Sequence, residues 1–290
     1  MTGPILVTGA SGFIGGHLCR ALIDDGHDVV ALLRPNSTCP HGVRPLRVGS
    51  NTAVADAVEA LAPATCFHLA THFTVADDDP AEIDKLVEAN LSLTAHLAAG
   101  LARVPRTGLV AVGTVWQHVY SEPFRPNSLY AATKEAALAV LTHYGLNRDL
   151  ATVWVELGDT YGPLDPRPKL IPTLLRIAGT DEEISLSPGE QLVDPLYVDD
   201  AVSGLLAASA AVAPGVAPPR LACLADSPVT LRELVALVEG VTGSQANVKW
   251  GARPYRPVEM FEQWRAGDRP DGWQPSTTLR DGLARLASTR

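Results

Sequence analysis

Tyr130-Ala131-Ala132-Thr133-Lys134 sets a phenol and an ammonium at the i, i+4 spacing. On a helix this places both on one face, about a turn apart. A tyrosine titrating at about pH 10 is a poor base at neutral pH, and a neighbouring cation favours its phenolate, so the pair suits proton transfer. Lysine is otherwise scarce, occurring only at Lys85, Lys169 and Lys249. Upstream, Val112-Gly113-Thr114 closes an apolar run and directs a hydroxyl to the same cleft mouth. A second group, Thr8-Gly9-Ala10-Ser11-Gly12-Phe13-Ile14-Gly15, follows a short apolar run. Gly9 permits a tight turn, Gly12 lets backbone approach a pyrophosphate, and Gly15 lets a helix lie close to a strand. The helix that starts there offers unpaired N–H groups and partial positive charge to phosphates. The third group is Arg34 with Asn36, Ser37 and Thr38, roughly 20 residues beyond the glycines. A carboxylate there would bond the ribose 2′-hydroxyl of NAD; a guanidinium suits a 2′-phosphate instead.

Such groups need a scaffold that gathers strand ends. Short β-branched runs alternate with Ala/Leu-rich periodic stretches, the pattern of a parallel sheet wrapped by helices. Strands are predicted at 5–8, 28–33, 45–48, 65–69, 107–112 and 152–157, and helices at 12–24, 53–61, 82–102 and 130–144. After Gly158 the rhythm changes. Prolines crowd 161–169, a helix follows from Ile171, then a loop ending at Gly189. A second proline cluster at 213–219 precedes a short strand at 220–224 and a helix near Thr230. The expectation is an α/β fold: a doubly wound parallel sheet (Rossmann) with a smaller C-terminal α/β substrate lobe. The dinucleotide-binding domain would occupy 1–158, with 190–212 returning to it, and 159–290 would form most of the lobe.

Composition narrows the function. With 46% apolar and 19% charged residues the 290-residue chain is neither disordered nor a coiled coil. The formal charge of −9, without a basic block, argues against nucleic acid. Cys19, Cys39, Cys66 and Cys223 are scattered without a CxxC or a His/Cys cluster, so no metal site is expected and reduced thiols in a cytoplasmic enzyme are. No apolar run approaches the roughly 20 residues of a membrane span, and the first residues lack the basic lead of a signal peptide.

Together the motifs resemble the extended short-chain dehydrogenase/reductase family of nucleotide-sugar epimerases, dehydratases and reductases. The resemblance rests on 8–15, His68-Leu69-Ala70-Thr71, Thr114, Tyr130 with Lys134, Tyr161-Gly162-Pro163, Val198-Asp199-Asp200 opening a helix, and Gly272-Trp273-Gln274-Pro275. It implies Tyr130 as acid/base, Lys134 as its pKa tuner and ribose ligand, and Thr114 as the group that polarises the reacting oxygen. It also implies that Leu69, Ala70, Thr71 and Leu157 line the cofactor cleft. Thr114 is followed by Val115-Trp116 rather than the Asp-Glu of family 4,6-dehydratases, which disfavours dehydration. Asp159 stands where an Asn is common, and Gln191-Leu192-Val193 lacks the expected Arg. Arg167, Lys169 and Arg256 remain for a pyrophosphate, while His72, Trp116 and Gln117 are expected at the sugar pocket. His68 is read as structural, and Asp199 and Asp200 as helix N-cap and first-turn carboxylate. The stretches 113–118, 129–134, 159–163 with 165–170, and 187–191 look most like the CDP-abequose and CDP-paratose synthase branch. The resemblance therefore implies an NADP(H)-dependent ketoreductase acting on a dTDP- or CDP-linked 4-keto-deoxysugar, the alternative being an NAD-dependent sugar-nucleotide epimerase. Leucine-rich 83–101 and the alanine-rich Tyr130 helix imply a homodimer.

Overall fold

The computed structural model describes residues 3–74, 76, 78–262 and 267–288. Its sheet is built from β1 (Ile5–Thr8), β2 (Val29–Leu33), β3 (Arg44–Arg47), β4 (Thr65–His68), β5 (Gly108–Thr114), β6 (Ala151–Leu157) and a last strand, Arg220–Cys223. The order is β3-β2-β1-β4-β5-β6 followed by the last strand, and every pairing is parallel. β1, β2 and β4 bury every residue, as strands covered on both faces must. This is the doubly wound sheet expected. The order reverses between β1 and β4, and in such sheets ligands bind outside the carboxyl ends of the strands at that reversal.

Alternation along the strands separates two cores. Ile5 and Val7 face α1 (Phe13–Asp24) and the helix Val198–Ala208, whose Ala201, Val202 and Leu205 share that core. Leu6 faces the other side, where α2 (Val54–Leu61) packs with the helix Leu93–Leu101 of the next crossover and α5 (Leu129–Arg148) completes the core. A third core joins the helices Leu170–Ile177, Leu231–Thr242 and Leu279–Ser288 over short two-stranded sheets.

Three local expectations change. The single helix at 82–102 is instead α3 (Pro80–Leu86), a π-helical turn over Val87–Ser92, and α4 (Leu93–Leu101). Asp199 is not an N-cap: Tyr197 holds that position, and Asp199 and Asp200 lie in the first turn. Asp200 is buried, and its carboxylate accepts from Ser276 N at 2.8 Å and Thr277 N at 3.0 Å, pinning the segment after Trp273. The third strand begins one residue earlier than its β-branched neighbours suggest, at Arg44. Of the helix positions expected to meet a second copy, Leu86, Leu97, Leu101, Ala137 and Leu141 are buried within the chain, whereas Val87 and Ala136 are exposed. No helix among the described residues is long and apolar enough to cross a membrane.

Candidate active site

The carboxyl ends of β1, β2, β4, β5 and β6 open into one cleft of about 660 Å³. At its floor the chain leaves β1 through Gly9, with φ +69° and room for nothing larger, since a Cβ would sit 2.7 Å from Ala70 N. A Cβ on Gly15 would overlap the Gly9 carbonyl oxygen. Gly9, Ser11, Gly12, Phe13, Ile14 and Gly15 all line the cleft. The first turn of α1 carries no acidic residue, so its positive end stays uncompensated. A backbone cradle that side chains would fill, ending in free N–H groups, fits the pyrophosphate of a dinucleotide. Arg34 and Ser37 line the far end of the cleft, and Leu69, Ala70, Thr71 and Leu157 its walls; Asn36 is exposed and outside it.

Thr114, Tyr130 and Lys134 meet in this cleft. Ser128 caps α5 by accepting from Ala131 N at 3.3 Å, which starts the helix just before Tyr130 and turns the phenol and Lys134 inward. Thr114 ends β5 and caps the short turn Val115–Gln117, accepting from Trp116 N at 3.3 Å. Its hydroxyl proton has no partner among the described residues and is free to donate. Lys134 is buried and donates to the Val112 carbonyl at 3.0 Å. Burial brings its ammonium down from 10.5 to about 8. Burial also pushes the Tyr130 phenol up to about 12, against a hydrogen bond with Thr71. The expected lowering by Lys134 therefore does not prevail in this structure: the ammonium is engaged by the β5 carbonyl, and desolvation of the phenol dominates.

Beneath the cleft, His68 is buried between two threonines, with Nδ1 2.7 Å from Thr8 Oγ1 and Nε2 2.8 Å from Thr94 Oγ1. Ala70 N donates to Thr8 Oγ1, and Thr94 Oγ1 donates to the Asn90 carbonyl. These directions close with the proton on Nε2, so Thr8 donates to Nδ1. Desolvation, then the Lys134 charge, hold the imidazole down at about 3, hence neutral. His68 is structural, as expected.

The substrate end is only partly as anticipated. His72, Trp116, Asp159, Arg167 and Lys169 line the cleft. The His72 ring is engaged by Glu82 at 2.7 Å. Arg167 binds Asp165 bidentately at 2.7 Å per bond and lies 4.6 Å from the Phe13 ring, so most of its charge is compensated. Lys169 is the freer cation, 4.6 Å from the Phe73 ring. Gln117 is not at the pocket. It is fully buried because the capping turn points it back, accepting from Thr114 N at 3.0 Å and donating to Glu135. Arg256 is exposed and does not line the cleft; its loop is held by Arg253 N to Leu186 O and Glu190 N to Tyr255 Oη. A small apolar recess beside Trp116 and Asp159 is lined by Val115, Leu192, Val193 and Met260, with Asp194 near its rim.

Two site residues escaped sequence reasoning. Phe73 sits edge-on to Tyr130 (5.1 Å) and to Trp116 (5.6 Å), forming an aromatic wall of the cleft. Its only signal was an aromatic shortly after a strand end. Asn90, buried in the π-helical turn, accepts from Thr71 Oγ1 and His72 N, both at 2.8 Å. It also donates to Thr133 Oγ1 at 3.0 Å and so ties the loop after β4 to the Tyr130 helix. A buried asparagine amid leucines was the available cue.

The profile of the NAD dependent epimerase/dehydratase family matches residues 5–221. UDP-glucose 4-epimerase of Mycolicibacterium smegmatis is 29% identical, with 97% of this chain and 96% of that protein aligned. CDP-abequose synthase of Salmonella muenchen is 23% identical over 99% and 97% of the two chains. Among solved structures, MoeE5 in complex with UDP-glucuronic acid and NAD superposes with a TM-score of 0.83 at 24% identity, covering 99% of this chain and 98% of that one.

Proposed function

The chain belongs to the NAD dependent epimerase/dehydratase family, and on that premise we propose that it is an NADPH-dependent ketoreductase acting on a nucleotide-activated 4-keto-deoxysugar. The observation that carries this reading is the meeting of Thr114, Tyr130 and Lys134 in a cleft whose far end presents an exposed Arg34. Val115 and Trp116, directly after Thr114, supply neither acid nor base for eliminating water. Family likeness to CDP-abequose synthase supports the same reading.

NADPH, when bound, supplies hydride to the carbonyl carbon. Gly9, Gly12 and the first turn of α1 would hold its pyrophosphate, Lys134 its ribose, and Arg34 with Ser37 its 2′-phosphate. Thr114 donates a hydrogen bond to the substrate carbonyl oxygen, drawing charge onto it. Tyr130 gives that oxygen its phenolic proton, and the Lys134 ammonium stabilises the phenolate as it forms. Phe73 and Trp116 wall the sugar, and Lys169 faces the negative diphosphate.

A charged hydrogen bond to the 2′-phosphate contributes about 1.5–3 kcal/mol. NADPH is therefore expected to bind roughly 10–150-fold more tightly than NADH. Arg34→Ala should erase most of that ratio in fluorescence titrations of both cofactors.

The deciding experiment follows NADPH oxidation with a panel of dTDP- and CDP-4-keto-6-deoxyhexoses, beside the cofactor content of the purified protein. Little bound NAD and stoichiometric NADPH consumption are expected. Protein that arrives saturated with NAD and interconverts two hydroxyl epimers without added cofactor would instead be an epimerase.

A further inference from the structure

Arg47, the last residue of β3, does not line the cleft, yet its guanidinium shapes one end of it. Nη1 donates to three backbone carbonyls of the segment after β2: Arg34 O at 3.1 Å, Pro35 O at 2.7 Å and Ser37 O at 2.9 Å. The same segment closes on itself through Ser37 N to Arg34 O at 3.1 Å. Register explains the convergence. Leu33 of β2 pairs with Arg47 of β3, and Val48 N donates to Leu33 O at 3.0 Å, so the arginine emerges beside the turn. Pro35 lacks an N–H, and the turn is exposed on its outer side, so few other bonds fix it. Arg34 itself makes no side-chain bond among the described residues. The region its guanidinium can reach is then set by the backbone that carries it.

We infer that Arg47 is a positioning residue for recognition of a 2′-phosphorylated dinucleotide, acting through Arg34. It gathers carbonyls whose partial negative charge would otherwise turn freely beside a dianionic phosphate, and it fixes the turn so that Arg34 and Ser37 face the cleft. The inference rests on the NADPH reading above. Ordering the turn before binding lowers the entropy lost when the phosphate docks.

The test titrates NADPH and NADH against the wild type, Arg47→Met, Arg47→Lys, Arg34→Ala and the Arg34→Ala/Arg47→Met double variant. Arg47→Met is expected to lower the NADPH:NADH affinity ratio by about tenfold while NADH binding changes less than twofold. Arg47→Lys, which keeps a cation with several donors, should retain most of the ratio. In the double variant the ratio should equal that of Arg34→Ala alone, because Arg47 acts through Arg34. A wild-type ratio near one overturns the NADPH reading itself. A wild-type ratio of tenfold or more that Arg47→Met leaves unchanged overturns the inference alone, as does an equal loss for both cofactors. Additive losses in the double variant overturn action through Arg34.

Discussion

Tyr130→Phe is expected to cut kcat by roughly 10²–10⁴ while leaving cofactor affinity and melting temperature near wild type. That factor is about 3–5 kcal/mol of barrier, the share that a positioned proton donor supplies. The phenyl ring keeps the edge contact to Phe73, so packing survives and only the hydroxyl is lost. Because burial raises the phenol to about 12, Tyr130 carries its proton at neutral pH, as reduction requires. Lys134, at about 8, sets the alkaline limit. Reduction should be pH-independent in the neutral range and decline above about pH 8, where the ammonium that favours the nascent phenolate loses its charge. Turnover of Tyr130→Phe within a few-fold of wild type would remove Tyr130 from the mechanism.

The second large effect is on stability. Arg220→Met should destabilise the protein by about 3–5 kcal/mol, the usual result of stranding a buried charge. By size scaling this is a fall in Tm of about 5–8 °C. Arg220 donates to Glu135 Oε1 at 3.0 Å and to Glu156 Oε1 through Nε at 3.0 Å, and Glu156 is completely buried. His118 also reaches Glu156, at 3.0 Å, and the second Glu156 oxygen has no partner among the described residues. Glu135 in turn receives Gln117, which holds Thr114 N. Removing Arg220 leaves two carboxylates facing one another across β6 and α5. Replacing Glu156 by Met in the same protein should recover much of the loss, because two well-packed apolar groups can substitute for a buried pair. Differential scanning calorimetry of the single and double variants measures both. An unchanged Tm for Arg220→Met would mean that the network carries no net stability.

The residues that chemistry ties to element ends were legible in the sequence. Spacing alone placed Gly9 and Gly15 at the turn between a strand and a helix, and Tyr130 and Lys134 on one helical face. The strand order then brings them together with Thr114. What escaped was set by contacts distant in sequence. Trp116 and Gln117 look equally suited to a sugar pocket, but the capping box at Thr114 turns one outward and the other inward. Asn90 finds its partners in two other elements, and nothing local announces the π-helical turn that points it there. Arg256 failed for the opposite reason: a free cation says nothing about which side of a lobe its loop will cover.

The buried ammonium of Lys134 has a thermodynamic consequence of its own. Its proton is held less tightly in the folded protein, near pH 8, than in the unfolded chain, near the ordinary 10.5. Between those values the unfolded chain binds more protons, so this residue makes stability rise with pH, from a deficit fully present below about pH 8 to none above 10.5. The deficit corresponds to about 3 kcal/mol, and Lys134→Met should relieve it. That variant, weaker in cofactor binding and catalysis, is expected to melt at a higher temperature than the wild type at pH 7 and to lose the advantage near pH 10. Thermal selection for robustness alone would therefore discard the lysine.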